Sequence, residues 1–493
     1  MTPDPLPGAP ATDPGSGRRR LPITRRHIIF LGAAALLLLA AAAIAFGVVQ
    51  YLRTRAGSNQ VAFAPAQEGE FLIIIAPFLR QGDEAAAIGG ALANDLRETP
   101  HAADLYRVET LDRAPRAAAI PGLIETYKPA ALTTGSYDGD TIGAVVHLLP
   151  PQLPPLPPAT EAAGAAALLP IADPVEFHLY APQTNAAPLR YLQSWLLAQS
   201  HFWVGQYDEA AALLLESLRL QPREIPITER ANQDIFLAYT HTQLGFIAGG
   251  VQGNWPAALD FYGLALRQNP ADPIAAVGLA AALAQTGQPA QAQSLLLAAL
   301  RRNPSTWQIQ VALGQLGLQQ GDVEGGLSHY DQAIALLDAN DPIQQRTLAD
   351  IYFDRGYYRL THNDPAGALS DLKRTVELGR AGVHAQSSLA WAAYLSGDNA
   401  TAVQASAVAV QLQPDRPDLA FNKALILLAA SQIADANAAY DDAIAVTLRL
   451  DDVLARSRYF GGAYRDLDQL LQRRPDLEQD IRALQERIDI ANG

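Results

Sequence analysis

Between Tyr191 and Val446 the apolar and polar positions follow one pattern that returns at a nearly constant spacing. Each unit has a short polar turn, then a small residue, and four residues later a leucine or an aromatic residue. The small residues Ala368, Ala402 and Ala436 mark successive units, and subtracting their positions gives 34 for both steps. A further small residue follows three positions after the larger one, as on one face of a helix. The pattern therefore predicts a series of stacked helical hairpins.

The residue types in each unit suit a helix that ends, reverses and packs closely against the next one. Glycine or asparagine ends the first helix, and the small residue lies where two helices approach each other. The larger residue, such as Leu296 or Tyr330, fills the seam. One hairpin cannot bury such a face alone, whereas a stack can. Two steps are longer, 48 residues from Pro222 to Pro270 and 42 from Tyr330 to Leu372, and we interpret both as insertions between hairpins.

The period of 34 and the positions that repeat together resemble the tetratricopeptide repeat. The family's leucine-glycine pair is present at Leu313-Gly314, while its first-helix tryptophan is missing from most units. The resemblance implies a mainly α fold, a tetratricopeptide α-solenoid of about seven helical hairpins over residues 191–446. The charged, amphipathic segment 447–493 is predicted to be a helical cap on the open end of the solenoid.

The resemblance also implies which side chains line the concave groove formed by the first helices. In the family, positions five, nine, twelve and thirteen of each first helix face this groove. Carried over unit by unit, they give the candidate partner-binding residues Trp195, Gln199, Trp203, Phe353, Tyr357, Trp391, Tyr394 and Phe421. An apolar, aromatic groove suits a helix or an extended apolar peptide. The alternative is that half of these aromatics pack between helices, because aromatics at helical spacing often form core.

The amino-terminal region has the pattern of a membrane anchor. Residues 1–27 form a polar, basic tail with five arginines, and an uncharged run follows from Ile28 to Val49. At about 1.5 Å per residue a helix of this run is roughly 33 Å long, enough to cross a bilayer. We therefore predict a transmembrane helix at 28–50, with the amino terminus in the cytoplasm because most flanking arginines precede the run. A cleaved export signal of twin-arginine type is the alternative.

After a spacer at 51–69, residues 70–149 have the periodicity of a small α/β domain. Phe71 to Phe78 is a continuous apolar run typical of a buried strand, and three more strands and two helices are predicted after it. The segment resembles the TolB-type amino-terminal domain. The resemblance rests on Ala76-Pro77-Phe78, on Ile88-Gly89-Gly90-Ala-Leu92, on Leu105-Tyr-Arg-Val108 and on Leu132-Thr-Thr-Gly135-Ser136-Tyr137 before a predicted Asp138-Gly139 hairpin turn. It brings no catalytic residues.

Residues 150–190 are predicted to be a linker between the α/β domain and the solenoid. The run from Pro150 to Pro158 is rich in proline, which favours a semi-rigid spacer, and an alanine-rich piece follows. Within the linker, Val175-Glu-Phe177-His-Leu179 alternates apolar and polar residues like a strand. We expect this strand to complete the sheet or to pack on the first hairpin.

Composition and motifs argue against an enzyme and against nucleic-acid binding. The chain has no cysteine, which excludes disulfides, thiolate metal sites and cysteine nucleophiles. Its formal net charge is −14, and residues 1–27 carry +3, so the rest carries −14 − 3 = −17. Such an acidic surface repels phosphate backbones. The nine histidines are scattered, and no phosphate-loop, zinc-protease, calcium-loop or serine-hydrolase motif occurs. We expect neither a cofactor nor a metal.

These observations predict a single-pass membrane protein that binds a peptide or protein partner outside the cytoplasm, as a scaffold. A second hypothesis is a signalling input in which the α/β domain binds a small ligand. An enzyme with an unrecognised site is the third. A ligand cavity in the α/β domain would favour the second hypothesis, and only convergent catalytic groups would favour the third.

Overall fold

The computed structural model describes residues 63–67, 70–80, 86–99, 105–137, 141–149, 175–182, 189–222 and 225–493. The predicted basic tail at 1–27, transmembrane helix at 28–50 and Asp138-Gly139 turn lie outside these residues. Within the described part of the chain, no helix is both long enough and apolar enough to span a membrane. Residues Ala64–Gly493 form one compact unit that holds the sheet and the helical hairpins.

Six strands among the described residues form one mixed sheet. In chain order they are β1 (Leu72–Ile75), β2 (Leu79–Arg80), β3 (Arg107–Thr110), β4 (Ala131–Tyr137), β5 (Thr141–Leu148) and β6 (Val175–Pro182). The strand order is β3-β1-β4-β5-β6, and the short β2 pairs with the end of β4. β1 runs parallel to β3 and β4, whereas β4, β5 and β6 are antiparallel neighbours. β1 is apolar throughout because it is buried on both faces.

In the described part of residues 70–149, two α-helices accompany the sheet, α1 (Ala86–Arg97) and α2 (Ile120–Tyr127), close to where the sequence predicts them. Leu92 and Leu96 of α1 belong to the core beneath the sheet. Arg97 at the end of α1 donates from Nε and Nη2 to the carbonyl of Val108, at 3.2 and 3.1 Å. The helix therefore binds a backbone group of the edge strand β3.

Among the residues described after the sheet, sixteen α-helices follow, and most of them pack as antiparallel pairs. The hairpins are α3 (Arg190–Trp203) with α4 (Tyr207–Arg219), α5 (Arg230–Phe246) with α6 (Trp255–Gln268), α7 (Pro273–Gln285) with α8 (Pro289–Arg302), α9 (Trp307–Gln319) with α10 (Val323–Ala335), α11 (Pro342–Thr361) with α12 (Pro365–Glu377), α13 (Val383–Ser396) with α14 (Asn399–Leu412), and α15 (Pro417–Ala429) with α16 (Ile433–Leu448). The predicted mainly helical array of hairpins is confirmed.

The last two helices, α17 (Val453–Arg473) and α18 (Glu478–Asn492), cover the final hairpin. Leu467 of α17 and Leu484 of α18 are buried in one cluster with Leu428 and Tyr440 from α15 and α16. Residues of this segment therefore pack on the last hairpin of the solenoid.

The turns inside the hairpins have the conformation that the repeat pattern predicts. Gly287 and Gly397 have φ of +82° and +79°, in the left-handed region where a side chain would be strained. Asn363 takes the same place between α11 and α12 with φ of +62°. The small residues that follow, such as Ala292 and Ala402, are fully buried where paired helices approach.

From the sequence, we interpreted the two longer steps of the repeat as insertions between hairpins. The structure shows that longer first helices also contribute to them. α5 has 17 residues and continues into a five-residue π-helical turn at Ile247–Val251. α11 has 20 residues, against 13 for α7 and for α9. Much of the extra length therefore extends the first helix of the hairpin, where an apolar face can still be buried.

The strand within the predicted linker joins the sheet and also packs on the first hairpins. β6 pairs with β5 along its whole length. On its inner face the ring of Phe177 makes edge-to-face contacts with Trp195 of α3, at 5.3 Å between centroids, and with Tyr239 of α5, at 4.9 Å. The sheet and the first two hairpins consequently share one hydrophobic core.

Candidate partner-binding cleft

A cleft of about 890 Å³ opens between α9, α11 and α13, the first helices of three successive hairpins. Its lining combines aromatic rings with a few polar and charged side chains: Gln315, Leu318, Gln319, Tyr330, Phe353, Asp354, Tyr357, Tyr358, Thr361, His362, Arg380, Gly382, Val383, His384, Ala385 and Ser388. The resemblance to the tetratricopeptide repeat implies that these first helices line the groove. The cleft is therefore a part of the predicted groove that is large enough to hold a ligand.

Two of the predicted groove residues, Phe353 and Tyr357, form an aromatic wall on α11. They lie one turn apart, and their rings are nearly parallel, with centroids 6.0 Å apart and planes inclined by 19°. Phe353 is 7% exposed, whereas Tyr357 is 45% exposed. The inner ring is thus part of the core, and the outer ring is available to a ligand.

Arg380, in the connection between α12 and α13, covers the inner ring. Its guanidinium carbon lies 4.0 Å from the centroid of Phe353, within the range of a cation–π contact. The same guanidinium pairs with the carboxylate of Asp350, one turn earlier on α11. Arg380 is therefore held by one carboxylate and one ring.

Asp354 is the second carboxyl group of this wall, and it borders the cleft. Gln315 of α9 donates to its Oδ2 from Nε2 at 3.5 Å, which is long for a hydrogen bond. Burial raises the pKa of Asp354 to about 7, while Arg380 opposes the shift and the nearby Asp350 adds to it. Asp354 consequently gains or loses its proton near neutral pH.

A buried ion network fixes the other side of α11. Asp371 of α12 is 2% exposed and accepts two hydrogen bonds from Arg355, at 2.6 and 2.9 Å, and one from Arg359 at 2.7 Å. Arg355 also pairs with Asp331 of α10. Because these contacts join α11 to both neighbouring second helices, they hold the aromatic wall in place without a ligand.

Three predicted groove residues in the first hairpin lie in the core instead. Trp195, Gln199 and Trp203 are all essentially unexposed. Trp195 packs under Phe177 of β6, and Gln199 is hydrogen-bonded to Gln243 of α5. The prediction of an exposed groove is therefore corrected for these residues, because the sheet and α5 cover the face that they occupy.

The remaining predicted residues lie beyond the cleft and mostly pack between helices. Phe421 is buried against Tyr440 and Phe460. Trp391 and Tyr394 are half-buried, with ring centroids 5.2 Å apart, and contact the core of the last hairpin and its cap. These residues show the packing between helices that the alternative assigns to half of the aromatics.

The repeat pattern did not identify Asp354 or Arg380 as site residues. Asp354 is the residue directly after the predicted groove residue Phe353, so the sequence could have indicated that it lies close to the groove. Arg380 lies in a connection between hairpins. Its contact with Phe353 depends on the path of that connection, which periodicity does not define.

The chain carries tetratricopeptide repeats, since the family model described as tetratricopeptide repeat matches residues 277–342 and 353–417. No curated protein matches the chain. Among solved structures it is similar to YrrB, described as a TPR protein with an unusual peptide-binding site, at 19% identity over 39% of this chain and 95% of that one, with a TM-score of 0.33.

Two further solved structures show likenesses of the same kind. PilF of Pseudomonas aeruginosa is 17% identical over 48% of this chain and 98% of its own, with a TM-score of 0.37. A protein of Thermus thermophilus, described as a thermophilic TPR protein, is 24% identical over 40% of this chain and 99% of its own, with a TM-score of 0.28.

Proposed function

We propose that this tetratricopeptide-repeat chain is a scaffold that binds a segment of a partner protein in the cleft between α9, α11 and α13. The observation that carries the proposal is the ring of Tyr357, 45% exposed on the wall of a cleft of about 890 Å³. Clefts of this size with aromatic walls and a few polar groups are typical ligand sites. Exposed aromatic rings are frequent anchors of protein interfaces.

The rigidity of the cleft supports a binding role. The network around Asp371 fixes α11, and Arg380 fixes the ring of Phe353. A site that is already formed loses less conformational entropy when a ligand binds. An amphipathic helix or an extended segment with an apolar side chain suits such a cleft, because it can place one side chain beside Tyr357.

The proposal includes a location outside the cytoplasm. Residues 28–50 would anchor the chain in the membrane, with residues 1–27 inside and the α/β domain and solenoid outside. The uncharged run and the excess of arginines before it support this orientation. In the sequence, the α/β domain with its resemblance to the TolB type follows the proposed anchor and precedes the solenoid. We propose no catalytic role.

Site-specific photocrosslinking in intact membranes tests the proposed role. A photoreactive phenylalanine analogue replaces Tyr357 in one variant and Leu412 of α14 in another, because Leu412 is similarly exposed at 49% but lies outside the cleft. We expect a discrete adduct from position 357 and none from position 412. Adducts at both positions, or at neither, would contradict the proposal.

A further inference from the structure

We propose that the cleft binds a basic side chain of its partner, a lysine or an arginine, between the carboxylate of Asp354 and the ring of Tyr357. This inference rests on the proposed partner-binding role and specifies the chemistry of the bound segment. It follows from a repeated arrangement of carboxyl groups and rings on α11.

The arrangement occurs twice in consecutive turns of α11. Asp350 and Phe353 are three residues apart, and so are Asp354 and Tyr357. Residues at this spacing lie on the same face of a helix. The small angle of 19° between the two rings shows that the second ring has nearly the same orientation as the first. Each turn thus presents a carboxyl group and an aromatic ring together.

The first of these two pairs already holds a basic group of the protein itself. The guanidinium of Arg380 lies over Phe353 at 4.0 Å and pairs with Asp350. Carboxylates and aromatic faces both attract cations, and the guanidinium satisfies the two at once. The contacts of Arg380 therefore show that a carboxylate and a ring in this arrangement can bind a guanidinium group.

The second pair borders the open cleft. Tyr357 is the most exposed of the large apolar side chains in the lining. The hydrogen bond that Asp354 accepts from Gln315, at 3.5 Å, is long. Arg380 pairs directly with Asp350, and its charge offsets only part of the raised pKa of Asp354, so the second pair can receive a further cation from outside. The strongly negative chain, at −14 overall, complements a basic partner.

The charge state of Asp354 links this binding to pH. Burial raises its pKa to about 7, and a bound cation favours the ionised carboxylate. Affinity for a basic segment should therefore increase as pH rises through 7 and then level off. The charges of Asp350 and Arg380 act on Asp354. The other titratable groups that line the same cleft are Tyr330, Tyr357, Tyr358, His362 and His384.

The test uses the full-length protein in detergent and three fluorescein-labelled helical peptides. The peptides are rich in leucine and alanine and differ at one central position, which holds arginine, its neutral isostere citrulline, or glutamate. We expect the arginine peptide to bind about tenfold more tightly than the citrulline peptide at pH 8, as measured by fluorescence anisotropy. The preference should shrink several-fold at pH 6.

Three variants locate the effect. Asp354→Asn should remove the preference for arginine over citrulline. Asp435 is an exposed residue on α16 outside the cleft, so the control variant Asp435→Asn should keep this preference. Tyr357→Leu should weaken binding of both peptides several-fold. Circular dichroism melts of each variant check that the fold is kept.

Several outcomes would overturn the inference. If the arginine and citrulline peptides bind equally well to the parent protein, and neither binds to Tyr357→Leu, the cleft binds partners without a preference for basic charge. Tighter binding of the glutamate peptide would assign recognition to Arg380. If none of the three peptides binds, the basic-segment inference is wrong, while photocrosslinking at position 357 decides separately whether the cleft binds a partner.

Discussion

Gln199 and Gln243 exchange two amide hydrogen bonds across the seam between α3 and α5. The Nε2 of Gln199 donates to Oε1 of Gln243 at 2.9 Å, and the reverse bond measures 2.8 Å. Both side chains are fully buried among the aromatic residues of the first two hairpins. The pair fixes the relative position of the two helices, because a shift along the seam would break both bonds in an apolar environment.

Replacing one member of this pair should cost more than replacing both. Gln199→Leu leaves the amide of Gln243 buried and unsatisfied, which should lower the free energy of unfolding by about 1–3 kcal/mol. The double variant Gln199→Leu, Gln243→Leu should recover most of that loss. A double-mutant cycle by thermal unfolding measures the coupling. Additive effects of the two substitutions would contradict this account.

The ion network behind the cleft should be sensitive to its buried acid. Asp371→Asn leaves Arg355 and Arg359 partly buried without their common carboxylate, so we expect a loss of about 3–5 kcal/mol in the free energy of unfolding. Asp331, which pairs with Arg355 but is 67% exposed, supplies the control. Asp331→Asn should cost at most about 1 kcal/mol. Similar losses for both variants would show that burial does not decide the effect.

Asp354 should make the solenoid less stable as pH rises. Its pKa in the folded protein, about 7, is higher than that of an ordinary aspartate, so the folded state holds a proton that the unfolded state has already lost. Stability from this group is present at acidic pH and falls between about pH 4 and pH 7. At pH 8 the free energy of unfolding of Asp354→Asn should therefore exceed that of the parent protein by about 2–4 kcal/mol, whereas at pH 4 the two should be equal.

The measurement is urea unfolding of the parent and of Asp354→Asn at several pH values. The difference between the two should grow up to pH 7 and then remain constant. A difference that does not vary with pH would mean that the carboxyl group titrates normally in the folded protein.

The small residues at the hairpin seams should not accept larger side chains. Ala292 on α8 is fully buried, so Ala292→Leu should overpack the seam by about 1–3 kcal/mol. Ala290 lies on the exposed side of the same helix. Ala290→Leu should change stability by less than about 0.5 kcal/mol, and melting temperatures compare the two. Equal melting temperatures would show that the helix register is wrong.

The proposed orientation in the membrane can be tested by protease accessibility. A protease added outside intact spheroplasts should digest the chain beyond Arg55, because the arginine excess before the uncharged run favours a cytoplasmic amino terminus. Replacing Arg18, Arg19, Arg20, Arg25 and Arg26 by glutamine should weaken this preference. Protection of the solenoid in the parent protein would rule out the orientation.

Much of the solenoid could be predicted because its helices repeat the same local chemistry. The spacing located small residues such as Ala402, because two helices must approach each other there. The resemblance to the repeat family also implied that Phe353 and Tyr357 face the groove together. It could not show that Trp195 and Trp203 are covered, because helical spacing identifies a face of a helix but not the element that packs on it.

The chemistry of the cleft depends on contacts between residues far apart in the sequence. Arg380 reaches Phe353 from the connection between α12 and α13, and Gln315 reaches Asp354 from α9. The altered pKa of Asp354 arises from burial, which depends on the packing of three hairpins. Such contacts between residues distant in the sequence cannot be predicted from a local sequence pattern.

The packing of the Phe177 ring couples the unfolding of the sheet to that of the first two hairpins. β6 cannot leave the sheet without exposing Trp195 and Phe236, so the sheet and the first two hairpins should open as one cooperative unit. Later hairpins are held by separate, smaller clusters. We expect hydrogen exchange to be slowest around Phe177 and faster toward the later hairpins, which can open without disturbing the amino-terminal half.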